Sequence, residues 1–474
     1  MKYQKWYVMI AVAAGLFLGT IDGSIVNIAL PTLERELHTQ FAIVQWVVLS
    51  YLLTVATLML AVGRLADILG KKPLYLTGFV IFTLGSGLCG LANSVALLIA
   101  FRIFQAVGAS MITALGAAII TEAFPPEERG KALGISGTMV SIGLISGPTL
   151  GGVLLGALSW HWIFFVNLPI GLAGILLVMR FVPHTAPAGR ERFDFPGALS
   201  LFTGLLAFLV ALTLGQSRGF AAPVVLALLA VFVCSVGLFI FIERHTPQPM
   251  IHLGLFQNRL FSINLITGFM TFISTAGTVL LMPFFLQNVL HYDPRSAGLL
   301  LSVVPLAMGL VAPLAGSLSD RFGTRRLTAA GLAVMLGGYI AVSTLDQNTG
   351  QWGYILRFLP IGLGLGLFQS PNNSAVMGAA PRNRLGVASS LLSLTRTIGQ
   401  TTGIALMGAL WAGRVNAMLG SGLGGDTTSA PAAVQVAALH QTLLAIVVLI
   451  SLALLMSLWA VWKEHRAAVA AYAR

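Results

Sequence analysis

The chain has 474 residues, 57% of them hydrophobic and 9% charged, with a mean hydropathy of +0.90. A soluble domain carries roughly 25% charged residues, so an ordinary globular protein is excluded. The net charge of +12 would suggest nucleic acid in a soluble chain. Its distribution assigns it to membrane topology instead, and no nucleic-acid partner is expected.

A helix crossing a bilayer needs about 20 mostly apolar residues, because its backbone must satisfy itself. Such stretches fall at about 6–30, 41–63, 73–92, 95–121, 130–158 and 162–182. They continue at about 195–214, 222–242, 260–290, 296–318, 326–344, 352–377, 386–412 and 437–462. The expectation is an all-α integral membrane protein of fourteen transmembrane helices embedded in a lipid bilayer. The first stretch follows Lys2 and Lys5 as a signal peptide would, but it is too long, contains Asp22 and Asn27 and lacks a cleavage site, so it is read as a helix. With the N-terminus inside, twenty of the 27 Lys and Arg residues fall on the cytoplasmic side and four on the other. The remaining three, Arg102, Arg357 and Arg396, lie within apolar stretches. Basic loops stay inside during insertion, which places both termini in the cytoplasm of a multi-pass cytoplasmic-membrane protein. Cys89 and Cys234 both lie in apolar stretches and read as packing residues; no metal-ligand spacing occurs.

The chain repeats itself. Gly63-Arg-Leu-Ala-Asp-Ile-Leu-Gly-Lys-Lys72 recurs as Gly316-Ser-Leu-Ser-Asp-Arg-Phe-Gly-Thr-Arg325, 253 residues later. Arg102-Ile-Phe-Gln-Ala-Val-Gly108 answers Arg357-Phe-Leu-Pro-Ile-Gly-Leu363 at 255, and Pro126-Glu-Glu-Arg-Gly130 answers Pro381-Arg-Asn-Arg-Leu-Gly386 at 255 and 256. Pro31, expected to end helix 1, answers Pro283 at 252. Four markers in order imply two parallel six-helix bundles related by a pseudo-twofold along the membrane normal. The bundles are 1–182 and 260–474. Between them, 183–259 is a linker carrying accessory helices 7 and 8.

These motifs resemble those of the major facilitator superfamily, in particular its fourteen-helix drug:proton antiporter group. The two Gly-x-Leu-x-Asp segments resemble the family's helix 2–3 loop motif and its C-half copy. Leu98-x-x-x-Arg102-x-x-Gln105-x-x-Gly108 resembles the helix 4 motif, and Gly143-Leu-Ile-Ser-Gly147-Pro148-Thr-Leu-Gly151-Gly152 the helix 5 antiporter motif. Ile21-Asp22-Gly-Ser-Ile-Val-Asn27-Ile-Ala-Leu-Pro31 and Trp160-His-Trp-Ile-Phe-Phe-Val-Asn167-Leu-Pro169 are similar to signatures of the fourteen-helix group. Ile68 departs from the family's usual arginine, which puts part of the first loop's charge network in doubt.

Among the fifteen acids, Asp22 is the one placed deep inside a predicted helix. An ionised carboxylate costs at least about 2.5–3.5 kcal/mol at the bilayer centre. It survives there by facing a wet cavity, by pairing with a cation or by spending time protonated. A carboxyl's proton affinity responds to wetness and to neighbouring charge, so a site whose wetness alternates can carry protons. The alternative is a permanently neutral or salt-bridged Asp that only fixes packing. Arg102 is the natural partner, and the resemblance implies that it faces the central cavity. A static bridge from Arg102 to helix 1 remains open. The second repeat offers only Ser274 or Thr275 near the matching position, so a single proton site is expected, in the N half.

Gly143, Gly147 and Gly151 recur every fourth residue on one helical face, where small residues admit a close neighbour. Pro148 deprives the Leu144 carbonyl of its bond and is expected to kink that helix. Asp67 and Asp320 are expected in tight cytoplasmic turns, capping the following helices and, with Gly63, Gly70 and Lys71, latching the cytoplasmic side. Arg129, Arg321 and Arg384 are the candidate partners; an ordinary capped turn is the alternative. Substrate-cavity candidates are Asn27, Gln45, Gln105, Asn264, Gln287, Arg357, Gln369, Asn372, Asn373 and Arg396, with Phe and Met lining an adaptable apolar wall.

The resemblance implies proton-driven antiport of lipophilic small molecules out of the cytoplasm, by a monomer, with substrate and protons as its partners. The alternatives are a proton-coupled transporter of a native lipid or metabolite, or a facilitator. An enzyme is not expected. No His or Cys pairs with a carboxylate at mid-helix, no nucleotide loop occurs, and no cofactor is implied. A non-transporting scaffold would have no need of Asp22 and Arg102 in apolar helices.

Overall fold

The computed structural model describes residues 4–125, 128–183, 194–246, 253–380, 385–419 and 427–472. Its long helices are α1 (Gln4–Glu36), α2 (Trp46–Leu69), α3 (Lys71–Gly90), α4 (Val95–Ala123), α5 (Arg129–Ala157), α6 (Asn167–Phe181) and α7 (Phe195–Arg218). They continue as α8 (Pro223–His245), α9 (Arg259–Phe284), α10 (Val303–Phe322), α11 (Thr324–Val342), α12 (Gln351–Ala379), α13 (Leu385–Leu419) and α14 (Ala432–Tyr472). Short helical turns at Phe41–Val44, Trp162–Phe165 and Pro294–Leu301 lead into α2, α6 and α10, and a π-helical turn, Phe285–Val289, closes α9. Hydroxyls within these helices return to their own backbone: Thr20, Ser24, Thr54 and Thr57 each donate to the carbonyl four residues back.

Eleven helical stretches among the described residues are long and apolar enough to cross a membrane. The expected spans at 326–344, 352–377 and 386–412 also form helices, α11 to α13, but fall short of that measure. Their polar load explains it. The helix α11 opens on Arg325 and Arg326, α12 carries Arg357, Gln369, Asn372 and Asn373, and α13 carries Arg396, Gln400 and repeated Ser and Thr.

The chain divides into two compact units. One holds Met1–Met250 with His291–Leu299, the other Ile251–Leu290 with Leu300–Arg474. In the first, α1 packs along α5, α6 and α4, α3 along α4 and α6, and α2 along α4. In the second, α9 packs along α13, α14 and α12, α11 along α12 and α14, and α10 along α12. Each pairing in one unit has its counterpart eight helices later in the other. The helix α8 packs on α7, and α7 on the edge of α2. Only 11% of α8's most apolar window is buried, so that helix keeps most of its apolar surface outward.

Glycine makes the tightest of these contacts possible. A Cβ on Gly108 of α4 would strike the Gly78 carbonyl of α3, and one on Gly364 of α12 would sit 2.6 Å from the Gly331 carbonyl of α11. The hinges after α2 and α10 are Gly70 at φ 89° and Gly323 at φ 88°, a left-handed conformation that disfavours any side chain. This corrects the expected caps. Asp67 and Asp320 lie inside α2 and α10, and Gly70 and Gly323 occupy the N-cap positions of α3 and α11, where neither has a side chain to cap with. Pro31 is likewise internal, since α1 runs on to Glu36.

Candidate functional site

Asp22 sits midway along α1, and its carboxylate is fully buried. Its Oδ2 accepts from Arg102 Nη1 at 2.7 Å, and its Oδ1 accepts from Gln105 Nε2 and Asn167 Nδ2, each at 2.9 Å. Arg102 and Gln105 stand one helical turn apart on α4 and therefore share a face. Arg102 also donates through Nε to the Val47 carbonyl at 3.1 Å and through Nη1 to Gln105 Oε1 at 2.7 Å. Its guanidinium lies 4.0 Å from the centre of the Tyr51 ring, a cation–π contact that covers the cation's face. Asn167, the first residue of α6, uses the same amide nitrogen to reach Ser86 Oγ at 2.9 Å, and Ser86 donates to the Phe164 carbonyl at 2.9 Å. Five helices, α1, α2, α3, α4 and α6, meet around one ion pair, and Asp22, Ser86, Arg102, Gln105 and Asn167 are all 0% exposed.

Sealing a charge this completely is sustainable only because it is paired and hydrogen-bonded. The arrangement corrects two expectations. Arg102 does not face an open cavity in this structure, and Gln105 is a partner of the Asp22 carboxylate rather than a wall of a substrate cavity.

The α5 glycines face α1, the helix that carries Asp22. A Cβ on Gly143 would collide with Thr20, one on Gly147 with Ser24 and the Ile25 amide, and one on Gly151 with Ile28 and Ile25. Ser24 Oγ donates across this contact to the Gly143 carbonyl at 3.2 Å. Pro148 lies within the continuous helix α5, and its carbonyl region packs against Gly298 of the turn Pro294–Leu301.

The remaining candidates are dispersed. Asn27 donates to the Gly23 carbonyl, Gln45 to that of Phe41 and Asn264 to that of Leu260, so each amide is engaged with its own helix. Gln287 is buried in the π-helical turn, Asn372 is buried beside Gly268, Gln369 is half-buried and Asn373 is exposed. Arg357 donates to Thr344 Oγ1 and to the Gly353 carbonyl, both at 3.0 Å. Arg396 lies about three turns inside α13, with its guanidinium 5.8 Å from the centre of the Phe272 ring. Among the latch residues, Lys71 pairs with Glu122 of α4, while Lys5 pairs with Glu128. Arg321 is exposed and lies over the Phe322 ring. Gly63 lies inside α2. The side chains of Asp67, Arg129 and Asp320, and the whole of Arg384, lie outside the described residues.

The sequence offers Asn167 only as one of several polar groups that could line a cavity, and it does not mark Ser86, Tyr51, Val47 or Cys89 as site members. Asn167 carried a signal, since it is polar within an apolar stretch and part of a motif. Ser86 and Cys89, one turn apart on α3, look like ordinary packing residues in sequence. Val47 contributes a carbonyl, which no side-chain pattern betrays.

An integral membrane transporter is the class that this fold and this sealed charge pair define, and comparison with known proteins makes it specific. The sequence profile of the Major Facilitator Superfamily matches residues 12–404 and, in a second alignment, 264–472. The riboflavin transporter RibZ of Clostridioides difficile (strain 630) is 37% identical over 414 residues, covering 86% of this chain and 89% of that protein. The multidrug resistance protein Stp of Mycobacterium tuberculosis (strain ATCC 25618 / H37Rv) is 34% identical over 88% of this chain and 78% of its own length. Among solved structures, a bacterial homologue of the human lysosomal transporter Spinster, inward-facing and unoccupied, superposes with a TM-score of 0.69 over 97% of both chains at 17% identity, a likeness of fold alone. The chain belongs to the Major Facilitator Superfamily, whose members are transporters and not enzymes.

Proposed function

We propose that this protein is a proton-coupled antiporter that exports lipophilic small molecules from the cytoplasm by alternating access. The observation that carries the reading is the Asp22–Arg102 pair, a carboxyl group and a guanidinium in contact at 2.7 Å and fully buried at mid-helix. A charge that costly to insert is retained where it does work. Protonation of Asp22 from outside releases its hold on Arg102 and favours the inward-facing state. Substrate binding with proton release to the cytoplasm returns the carrier outward. The glycine face of α5 lies directly against the helix carrying Asp22, so a change at the carboxyl has a close-packed surface on which to act.

The accompanying architecture is fourteen membrane spans, with six-helix repeats at 1–182 and 260–474 and an accessory pair in 183–259. Both termini are cytoplasmic, and the unit is a monomer in the cytoplasmic membrane. Gly63, Gly70, Lys71, Asp67, Arg129, Asp320, Arg321 and Arg384 form the cytoplasmic latch. Relatives named as multidrug transporters support the substrate class. A relative named as a riboflavin transporter supports a second reading, in which the cargo is a native metabolite carried by the same proton cycle.

The test is proteoliposomes holding an internal pH dye, with ethidium or riboflavin offered under an imposed proton gradient. Proton flux driven by ethidium and lost in Asp22→Asn is the expected result. Flux driven by riboflavin alone selects the metabolite reading. Substrate movement indifferent to both the gradient and Asp22→Asn makes the protein a facilitator and removes Asp22 from the cycle.

A further inference from the structure

We propose that Asn167 is the proton-sensing amide of the site: it turns over when Asp22 is protonated, so that its carbonyl oxygen accepts the new O–H. The inference rests on the reading of Asp22 as the proton site and adds how the protein holds the proton there.

The argument is one of hydrogen-bond valence. Asp22 receives three N–H donors, from Arg102, Gln105 and Asn167, and none of these three contacts presents an acceptor to it. The cradle is therefore built for the anion. Adding a proton creates an O–H donor aimed at donors. A buried donor left without a partner is disfavoured by roughly five- to a hundredfold, so one of the three partners must rearrange.

Arg102 cannot supply an acceptor, because a guanidinium has none. Gln105 is held by both ends. Its nitrogen faces Asp22, and its Oε1 accepts from Arg102 at 2.7 Å, with the Cys89 thiol 3.6 Å away. Turning Gln105 would point its NH2 at the guanidinium.

Asn167 is held by one end. Its nitrogen bridges Asp22 and Ser86, while its Oδ1 is buried and has no hydrogen-bond partner. Rotating this amide about its last torsion exchanges the nitrogen and the oxygen. The oxygen then accepts from the Asp22 O–H. The Ser86 hydroxyl, which in the anionic state donates to the Phe164 carbonyl, becomes a second donor to that oxygen. The rotation exchanges the amide's N–H bond to Asp22 for the carboxyl's O–H, and gives up the amide's own bond to Ser86 and the Ser86 bond to the Phe164 carbonyl. It thereby moves Ser86 from the Phe164 carbonyl, in the turn that leads into α6, so the protonation state of α1 is read out on the helix that begins with Asn167.

Arg102 tolerates the neutral carboxyl because it keeps the Val47 carbonyl, Gln105 Oε1 and the Tyr51 ring. The titratable groups facing the carboxyl are Arg102 of α4, Tyr51 of α2 and Cys89 of α3. A guanidinium has no acceptor to offer the new O–H, and the Cys89 thiol is directed at Gln105 Oε1.

The test is infrared difference spectroscopy of the full-length protein in liposomes between neutral and acidic buffer. Wild type should show a carboxylic C=O band, lowered in frequency by its hydrogen bond, together with a change in an asparagine amide C=O band. Asp22→Asn should lose both. Asn167→Leu, which can neither donate nor accept, should keep the carboxylic band, shift it to higher frequency and lose the amide change. Asn167→Ser, whose hydroxyl does both, should restore the lowered frequency and guards against a Leu variant that fails to fold. Gln105→Ala should keep the amide change. A carboxylic band removed by Asp22→Asn but unmoved in both Asn167 variants would overturn the inference while leaving the proton site standing. A spectrum with no Asp22 carboxyl band would overturn the proton site, and the inference with it.

Discussion

The two halves of the molecule share a helix-pairing scheme and differ in their chemistry. At the repeat offset, Asp22 corresponds to Ser274, whose hydroxyl donates to the Met270 carbonyl of its own helix at 2.9 Å. Thr271, Thr275 and Thr278 do the same along α9, with Thr278 also in contact with the Tyr339 side chain of α11, so the hydroxyls of the helix that answers α1 are held mainly by their own backbone. Arg102 corresponds to Arg357, which lies two turns from the start of α12 and bonds to Thr344 and Gly353. One scaffold thus occurs twice, once with a charge pair locked between five helices and once with hydroxyls bonded mainly to their own helix. Packing defines the repeat, and a handful of side chains decide which copy carries a buried charge.

The largest expected effect follows from that contrast. Arg102→Ala leaves the Asp22 carboxylate buried without its cation, which costs about 3–5 kcal/mol. Arg357→Ala removes a half-exposed cation held by a hydroxyl and a carbonyl, and should cost less than about 1 kcal/mol. Thermal unfolding in detergent should separate the two variants clearly; equal losses would mean that the asymmetry of the halves has no energetic content. Arg102→Lys should behave like the alanine variant. One ammonium cannot reproduce the planar fork that joins Val47, Asp22 and Gln105.

The glycine face gives the next test. At an offset of 256, that of Gly130 and Gly386, Gly143, Gly147 and Gly151 of α5 answer Gly399, Gly403 and Met407 of α13. In the C half the third glycine has changed sides: Met407 is received by Gly277 of α9. A methyl on Gly403 would meet the Ile273 backbone, whereas one on Gly147 would meet first the Ser24 side chain. Overpacking costs about 1–3 kcal/mol, and a hydroxyl yields more readily than a backbone. Gly403→Ala should therefore be the more destabilising of the two. Gly147→Ala should cost less stability but slow transport, because it stiffens the contact beside Asp22. The opposite ranking in unfolding assays would locate the rigid contact in the N half.

Much of this is legible in the sequence. Apolar run length marks helices reliably, because an unsatisfied backbone is forbidden in lipid. Asp22 and Arg102 stand out because a charge in such a run needs a reason. Their partners do not, because the bonds that close the site join residues 55 to 145 positions apart and include a backbone carbonyl. Asn167 looks like one polar residue among many until α6 places it against α1. The caps depart from expectation for a local reason: Asp67 and Asp320 are good capping residues in general, but a glycine at positive φ already makes each turn. Gln105 reads as a cavity residue because its shared face with Arg102 is visible in the sequence and the closure of that face around Asp22 is not.

The smallest expected effect tests the comparison at the other end of the bundle. Asp293, between the spans of α9 and α10, accepts the Arg295 and Ser296 amides at 3.0 and 3.1 Å and starts the turn Pro294–Leu301. Its counterpart is Gln40, which starts Phe41–Val44 with extended backbone and no side-chain cap. Bonds from the Ser296 side chain and then its amide hold the Asp293 carboxyl below the usual carboxylate range. A depressed native value means that the cap stabilises above the carboxyl's unfolded value and that this contribution is lost as pH falls through its native one. Asp293→Ala should therefore cost about 1 kcal/mol at neutral pH and progressively less on acidification. Gln40→Asp should confer a gain of the same kind, with the same pH dependence, on a half that lacks it. If Gln40→Asp is neutral at every pH while Asp293→Ala is costly, the turns leading into α2 and α10 are not equivalent, and the repeat holds in helix pairing but not in its turns.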